Sequence, residues 1–331
     1  MSLEARSREL QARARIALET CRSIHAPDER TCCFDLTVDA RTDRQRLVLR
    51  GAVETERLLR LARSSVRDAT GHTVTTRDVT VLETRTRTRT VTATALPVRS
   101  APDDDGEQVT QALVGDSLEA FEERGRWTRV RVPDGYLGWV ESAALVDADP
   151  IEGDAVVTAS LPERDPALVP GVECKVVDAG DGDCRVELRT GDQFTLPKTA
   201  VRRRESAISP ADVVDCARSF LGTGYEWGGK TADGIDCSGL VWIAYRAAGV
   251  RLPRDSDQQQ RVGTAVERDE LAPGDLLFFP GHVAISLGGP EFVHAYGGDD
   301  EVTINSLDPD AEGYLPDLDE GFETARRVVA E

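Results

Sequence analysis

Cys237 stands at the head of a run, C-S-G-L-V-W-I-A-Y-R-A-A-G, in which Leu240, Val241, Ile243, Ala244 and Ala247 follow helical spacing and Gly249 ends the pattern. That spacing places the cysteine at or just before a helix N-terminus. Unpaired backbone N–H groups and the positive end of the helix dipole favour an anion there, which predicts a lowered thiol pKa. The same N–H groups can hold the oxyanion formed when a carbonyl is attacked. An isolated cysteine is ordinarily a packed structural residue, but this one has company. Two of the four histidines follow it, His282 in G-H-V-A-I and His294 in F-V-H-A, with S-L-G-G-P-E as a turn between two strand-like stretches. Paired as a hairpin, these strands make the imidazoles neighbours, so that His294 orients His282 while His282 takes the proton from Cys237. A metal site built from one Cys and two His lacks a fourth ligand and is the weaker reading.

The elements that must position these residues belong to a chain of 331 residues, too long for one ordinary domain. Residues 1–90 read as a helical run, strands Cys33–Ala40 and Arg46–Val53, a helix Glu54–Ala69 with Gly71 as its stop, and a strand Val74–Leu82. Residues 91–148 turn into short alternating strands, with Pro133, Asp134 and Gly135 supplying a turn. A more divergent β unit follows over 149–205, and Arg202, Arg203 and Arg204 before Ser209-Pro210 read as a linker and helix start rather than a binding patch. Trp227 and Trp242 read as packing residues, and the acidic stretch from Gly297 onward reads as solvated loops.

The formal net charge is −19, with 59 acidic against 40 basic residues, and the lysines are Lys175, Lys198 and Lys230 alone. Such a surface repels phosphates, which argues against nucleic-acid binding. The depletion of lysine, which a need for solubility does not by itself produce, points to a protein adapted to concentrated salt. No window approaches the eighteen or more apolar residues of a membrane span, and the opening M-S-L-E-A-R-S-R-E-L is charged throughout. The expectation is a cytoplasmic protein with no membrane partner. Seven cysteines with no C-x-x-C fit neither a zinc nor a full disulfide framework. Cys174 and Cys184 flank a turn and are candidates to face each other on a hairpin as free, packed thiols.

The series Y-E-W-G-G, D-C-S-G-L, L-P-R-D-S-D-Q-Q, L-A-P-G-D-L-L-F-F, G-H-V-A-I and F-V-H-A, in this order, resembles the NlpC-type, papain-like peptidases that cut peptides of bacterial cell walls. The segments P-V-R, E-Q-V-T-Q-A-L-V-G-D, E-R-G-R-W-T-R-V-R-V and G-Y-L-G-W-V are similar to bacterial SH3-type barrels, and the G-A-V strand entering a helix resembles BON-type domains, with a structural spacer as the other reading. The resemblance implies an α+β multidomain chain: a small α+β unit (1–90), two SH3-like β-barrels (91–148 and 149–205) and a papain-like α+β peptidase domain (206–331). It implies a Cys237, His282, His294 triad with Tyr225 near the oxyanion, and no cofactor. Members with two barrels cleave the bond between γ-D-glutamate and a diamino acid in small peptides with a free N-terminal L-alanine. By that analogy Glu107, Tyr136, Asp236, Ser238, Asp255 and Ser256 line the substrate pocket, carboxylates there meeting the free ammonium. The competing readings are an amidase or acyltransferase acting on another substrate, and a non-catalytic binding protein; Asp255 and Ser256 are equally suited to capping a helix over Gln258–Gln260.

Overall fold

The computed structural model describes residues 3–41, 46–147 and 151–329. The expected boundary between the two barrels at 148/149 lies outside the described residues. The N-terminal unit comprises α1 (Leu3–His25), β1 (Phe34–Arg41), β2 (Arg46–Val53), α2 (Glu56–Thr70) and β3 (Thr73–Val81). Thr55 caps α2 by accepting from the Leu58 N–H, and Gly71 ends it with a left-handed φ of 72°. Leu58, Ala62 and Val66 form the buried stripe of that helix, which carries the chain across from β2 to the parallel strand β3.

A seven-stranded sheet follows, ordered β10-β4-β7-β8-β9-β5-β6. Its strands are β4 (Arg87–Val91), β5 (Ala95–Arg99), β6 (Gln108–Leu113), β7 (Ser117–Arg124), β8 (Trp127–Arg131), β9 (Leu137–Glu141) and β10 (Leu145–Val146). Val91, Leu96, Val98, Leu118, Val130, Val132 and Val140 fill its interior. A five-stranded sheet then runs through β11 (Ala155–Val157), β12 (Glu173–Ala179), β13 (Asp183–Glu187), β14 (Gln193–Pro197) and β15 (Val201–Arg203). Arg202 and Arg203 therefore belong to a strand and not to a linker, with Arg204 in the turn that follows. Each of these cations has an acid, Arg202 with Asp212, Arg203 with Asp154 and Arg204 with Glu173. Cys174 and Cys184 do not face each other, because Cys174 pairs with Ala155 and Cys184 with Ala179; both are free and buried.

The C-terminal unit has α3 (Pro210–Arg218), a two-stranded ribbon of β16 (Lys230–Thr231) and β17 (Gly234–Ile235), α4 (Cys237–Ala247) and the short α5 (Ser256–Gln259). Ser209 and Asp212 form a capping box at the start of α3, with Pro210 in the first turn. Its sheet is ordered β18-β23-β19-β20-β21-β22, from β18 (Thr264–Val266), β19 (Leu276–Phe279), β20 (His282–Gly288), β21 (Glu291–Tyr296), β22 (Glu301–Ser306) and, after α6 (Pro316–Glu320), β23 (Thr324–Arg327). The acidic tail is thus no run of solvated loops. It supplies β22 and β23, the latter inserted between β18 and β19 with Ala325 buried, because the β-branched residues beneath the acids pair as strands. One continuous core joins α3, α4 and this sheet to the five-stranded sheet. Among the described residues no helix is long and apolar enough to cross a membrane.

Two buried ion pairs fasten the seven-stranded sheet to the C-terminal unit. Lys230 Nζ lies 2.8 Å from Asp134 Oδ2 and 3.8 Å above the Trp242 ring, and Arg246 pairs with Asp116. Removing one partner of such a pair strands a buried charge, at a cost of about 3–5 kcal/mol. Asp134→Ala is therefore expected to lower stability by about that amount in urea titrations, and Asp134→Leu combined with Lys230→Met to recover most of it. A loss near zero for Asp134→Ala would mean that water reaches this junction.

Candidate active site

Asp236 is the N-cap of α4 and its side chain accepts from the Gly239 N–H at 2.6 Å, which makes Cys237 the first helical residue. Gly239 is required by a close approach, since a Cβ there would sit 2.2 Å from the Gly229 carbonyl oxygen. The thiol is buried, and the backbone N–H groups of Ser238 and of Val283, the residue after His282, act on it to favour its anion. Adjacent strands β20, β21 and β22 then deliver three polar side chains in line. His282 Nε2 is 2.8 Å from His294 Nδ1, His294 Nε2 is 2.9 Å from Asn305 Oδ1, and Asn305 Nδ2 donates to the Gly313 carbonyl at 3.0 Å.

That last bond fixes the proton positions. With the Asn305 amide nitrogen engaged by Gly313, its oxygen faces His294 and must accept, so His294 carries its hydrogen on Nε2. His294 Nδ1 is then an acceptor, His282 donates from Nε2, and the lone pair of His282 Nδ1 is left to receive a proton. Tyr296 stacks on His294 with ring centroids 5.0 Å apart and an interplanar angle of 14°, which holds the second imidazole flat against it.

The electrostatics depart from the helix-dipole expectation. Burial, helped by the negative charge of Asp236, pushes the Cys237 thiol up to about 12 despite its two N–H donors. Burial also pushes His282 down to about 3 and His294 down to about 4. Desolvation outweighs the helix end, so thiol and imidazole both rest uncharged, and the arrangement can exchange a proton only as a partner for the charge arrives. Tyr225 is close enough that the Cys237 and Asp236 charges add to burial in pushing its phenol up to about 12.

The other expected residues separate into two groups. Tyr136 and Asp255 meet, the phenol donating to Asp255 Oδ2 at 2.9 Å. Asp255 occupies the N-cap position of α5 without a capping bond, its carboxylate turned to the barrel instead, and Ser256 opens that helix. Asp236 and Ser238 have their side chains engaged internally: Asp236 accepts from Gly228 N–H, Gly239 N–H, the Ser238 hydroxyl and Arg254, and Ser238 also accepts from Arg254. They position the start of α4. Glu107 is exposed just ahead of β6, and among the described residues it makes no bond to Tyr136 or Asp255. Trp227 is 60% exposed rather than packed, whereas Trp242 is buried between Lys230 and Arg246. Residues that spacing did not single out are Asn305, Tyr296, Arg254 and Arg30. Only Arg254 carried a local signal, its place in L-P-R-D-S.

Residues 222–313 match the NlpC/P60 family, and residues 98–145 match the bacterial dipeptidyl-peptidase Sh3 domain. The chain is 33% identical over 245 residues to dipeptidyl-peptidase 6 of Lysinibacillus sphaericus, covering 66% of this chain and 90% of that protein. The chain belongs to the NlpC/P60 family. It is a hydrolase of the cysteine-peptidase type, with an SH3-like domain ahead of its NlpC/P60 domain. It is also 29% identical over 211 residues to the γ-D-glutamyl-L-lysine dipeptidyl-peptidase of Bacillus subtilis, covering 56% of this chain and 71% of that one. An NlpC/P60 family protein from Bacillus cereus superposes with a TM-score of 0.63 at 23% identity, over 74% of this chain and all of the other, which establishes the shared fold.

Both imidazoles are held below their ordinary value of 6.5, so as pH falls from there toward 4 the unfolded chain binds protons that the folded chain refuses. Stability is lost through that window, at about 1.4 kcal/mol per pH unit for each histidine. His294→Gln is expected to flatten the slope of unfolding free energy against pH by about one histidine's share. Parallel slopes in the two proteins would show that His294 is protonated in the fold.

Proposed function

We propose that this NlpC/P60 peptidase hydrolyses the γ-D-glutamyl–diamino acid bond of small cell-wall peptides that carry a free N-terminal L-alanine. The observation that carries the catalytic half is the bonded line Gly313–Asn305–His294–His282, ending on a strand whose next residue, Val283, turns its N–H toward the Cys237 thiol at the start of α4. In this reading the Cys237 sulfur attacks the γ-glutamyl carbonyl as its proton passes to His282 Nδ1. His294 holds the imidazole in place, and Tyr225 with the N–H groups at the head of α4 stabilises the oxyanion. The C–N bond breaks as His282 returns the proton to the departing amine, and water hydrolyses the thioester to regenerate the thiol.

The specificity half is supported by the Tyr136–Asp255 contact, which puts a partly buried carboxylate at the seam between barrel and peptidase domain. A free ammonium there pairs with it, and a longer or acylated N-terminus collides and leaves it unpaired. The named activities of the Lysinibacillus and Bacillus relatives agree with this substrate. We read 1–90 as a small α+β unit, 91–148 and 149–205 as two SH3-like barrels, and the remainder as the peptidase domain. A pocket shared by several units suits small released peptides better than an intact wall, and the acid-rich, lysine-poor surface suits work in concentrated salt.

Cys237→Ala is expected to abolish hydrolysis of L-Ala-γ-D-Glu-diaminopimelate, followed by amine release at several salt concentrations. Full activity in that variant would falsify the nucleophile assignment. The wild-type enzyme should cut the N-acetylated peptide at least 100-fold more slowly in kcat/KM, which is about 2.7 kcal/mol of discrimination. Equal rates would remove the free-amine requirement.

A further inference from the structure

Arg30 lies on the loop between α1 and β1, outside both family matches, yet it reaches Asp255 across 225 residues of sequence. Its guanidinium makes five bonds. Nε and Nη2 bind Asp28, Nη1 and Nη2 bind Asp257, and Nη1 also binds Asp255 Oδ2 at 2.7 Å. The loop is docked by its backbone as well: Arg30 O accepts from the Leu137 N–H at 2.7 Å and Thr31 O accepts from Arg131 at 2.7 Å. Leu137 is the neighbour of Tyr136. One contact between loop and barrel therefore sets both groups that hold Asp255 Oδ2, the Tyr136 hydroxyl and the Arg30 guanidinium.

We infer that Arg30 is a positioning residue for the substrate's ammonium: it fixes Asp255 through Oδ2 and leaves Oδ1 to the incoming cation, making the N-terminal unit part of the specificity pocket. This rests on the reading of Asp255 as the amine-binding carboxylate. The opposite role, a tethered cation that fills the amine's place, fits the geometry less well. Arg30 engages the oxygen already bonded to Tyr136, and it is shared among three carboxylates, so acid stays in excess around the pocket.

The groups facing Asp255 are Tyr136 from the barrel, Arg30 and through it Asp28 from the N-terminal loop, Arg254 from the preceding residue and Asp257 from α5. Burial raises the Asp255 carboxyl, while Tyr136, Arg30 and Arg254 oppose that and Asp257 adds to it. Without Arg30, Asp257 keeps only Arg261 at 3.8 Å and Asp28 only neutral donors, the Gln258 amide and the backbone N–H of residue 30, so both charges weigh more heavily on Asp255. Asp255 then takes up a proton at higher pH and no longer attracts an ammonium. Cys237 and His282 have no bond to Arg30, so the loss falls on binding.

The test is steady-state hydrolysis of L-Ala-γ-D-Glu-diaminopimelate and its N-acetyl form by the full chain, as wild type, Arg30→Gln and Arg30→Lys, from pH 6 to 8. Arg30→Gln is expected to raise KM for the free-amine peptide about tenfold with kcat within about twofold, the gap widening toward pH 6, and to leave the slow cutting of the acetylated peptide unchanged. Arg30→Lys, which keeps the charge but not the fork, should recover part of the loss. If Arg30→Gln does not fold, a threefold rise in KM for Arg30→Lys is the expected result. An unchanged or lowered KM in the folded variants overturns the inference while leaving the free-amine reading intact. Wild-type enzyme that cuts both peptides equally overturns that reading and this inference together.

Discussion

The buried ammonium of Lys230, closed in by Asp134 and the face of Trp242, ties the SH3-like domain to the NlpC/P60 domain. Asp134 also accepts from the Thr110 hydroxyl at 2.7 Å, and Thr110 accepts from Arg254 Nε at 3.0 Å. Arg254 in turn grips Asp236, the cap of the helix that begins with Cys237. An unbroken line of charge-assisted bonds thus runs from the turn between β8 and β9 to the cap of the helix that Cys237 begins. Buried ion pairs seldom add net stability over apolar packing, but a displaced one is costly, so what they confer is register. A barrel shifted by one residue would leave Lys230 and Arg246 without their acids.

The site beside this junction works by denying charge. Burial disfavours both a lone thiolate and a lone imidazolium, yet the Asn305–His294 line fixes the tautomer that lets His282 accept a proton. On the proposed reading of Cys237 as nucleophile, the buried thiol stays neutral until a carbonyl takes up the developing negative charge. A solvent-exposed thiolate would be open to oxidation in a way that this one is not.

Much of this architecture was legible in local patterns. The 3.6-residue stripe of α2, its Gly71 stop, the Ser209-Pro210 start of α3 and the helical run after Cys237 all declare themselves in short windows, because caps and apolar periodicity act over one or two turns. The two histidines were legible through their strand contexts. What escaped was decided by distant partners. Asn305 lies in an acidic stretch whose strand pairing is visible only once β21 is in place, and Arg30 is one arginine among many until the fold brings it to Asp255. The thiol's raised pKa was misjudged because a helix end is a local feature, whereas burial is a property of the whole assembly.

The scarcity of lysine acquires a practical meaning once each lysine has a place. Lys230 is sealed at the domain junction, while Lys175 and Lys198 are exposed and both belong to the five-stranded sheet unit. Side-chain amine chemistry therefore addresses one region of the surface alone. A succinimide-activated dye would meet its exposed side-chain amines in that unit alone, while Lys230 stays out of its reach.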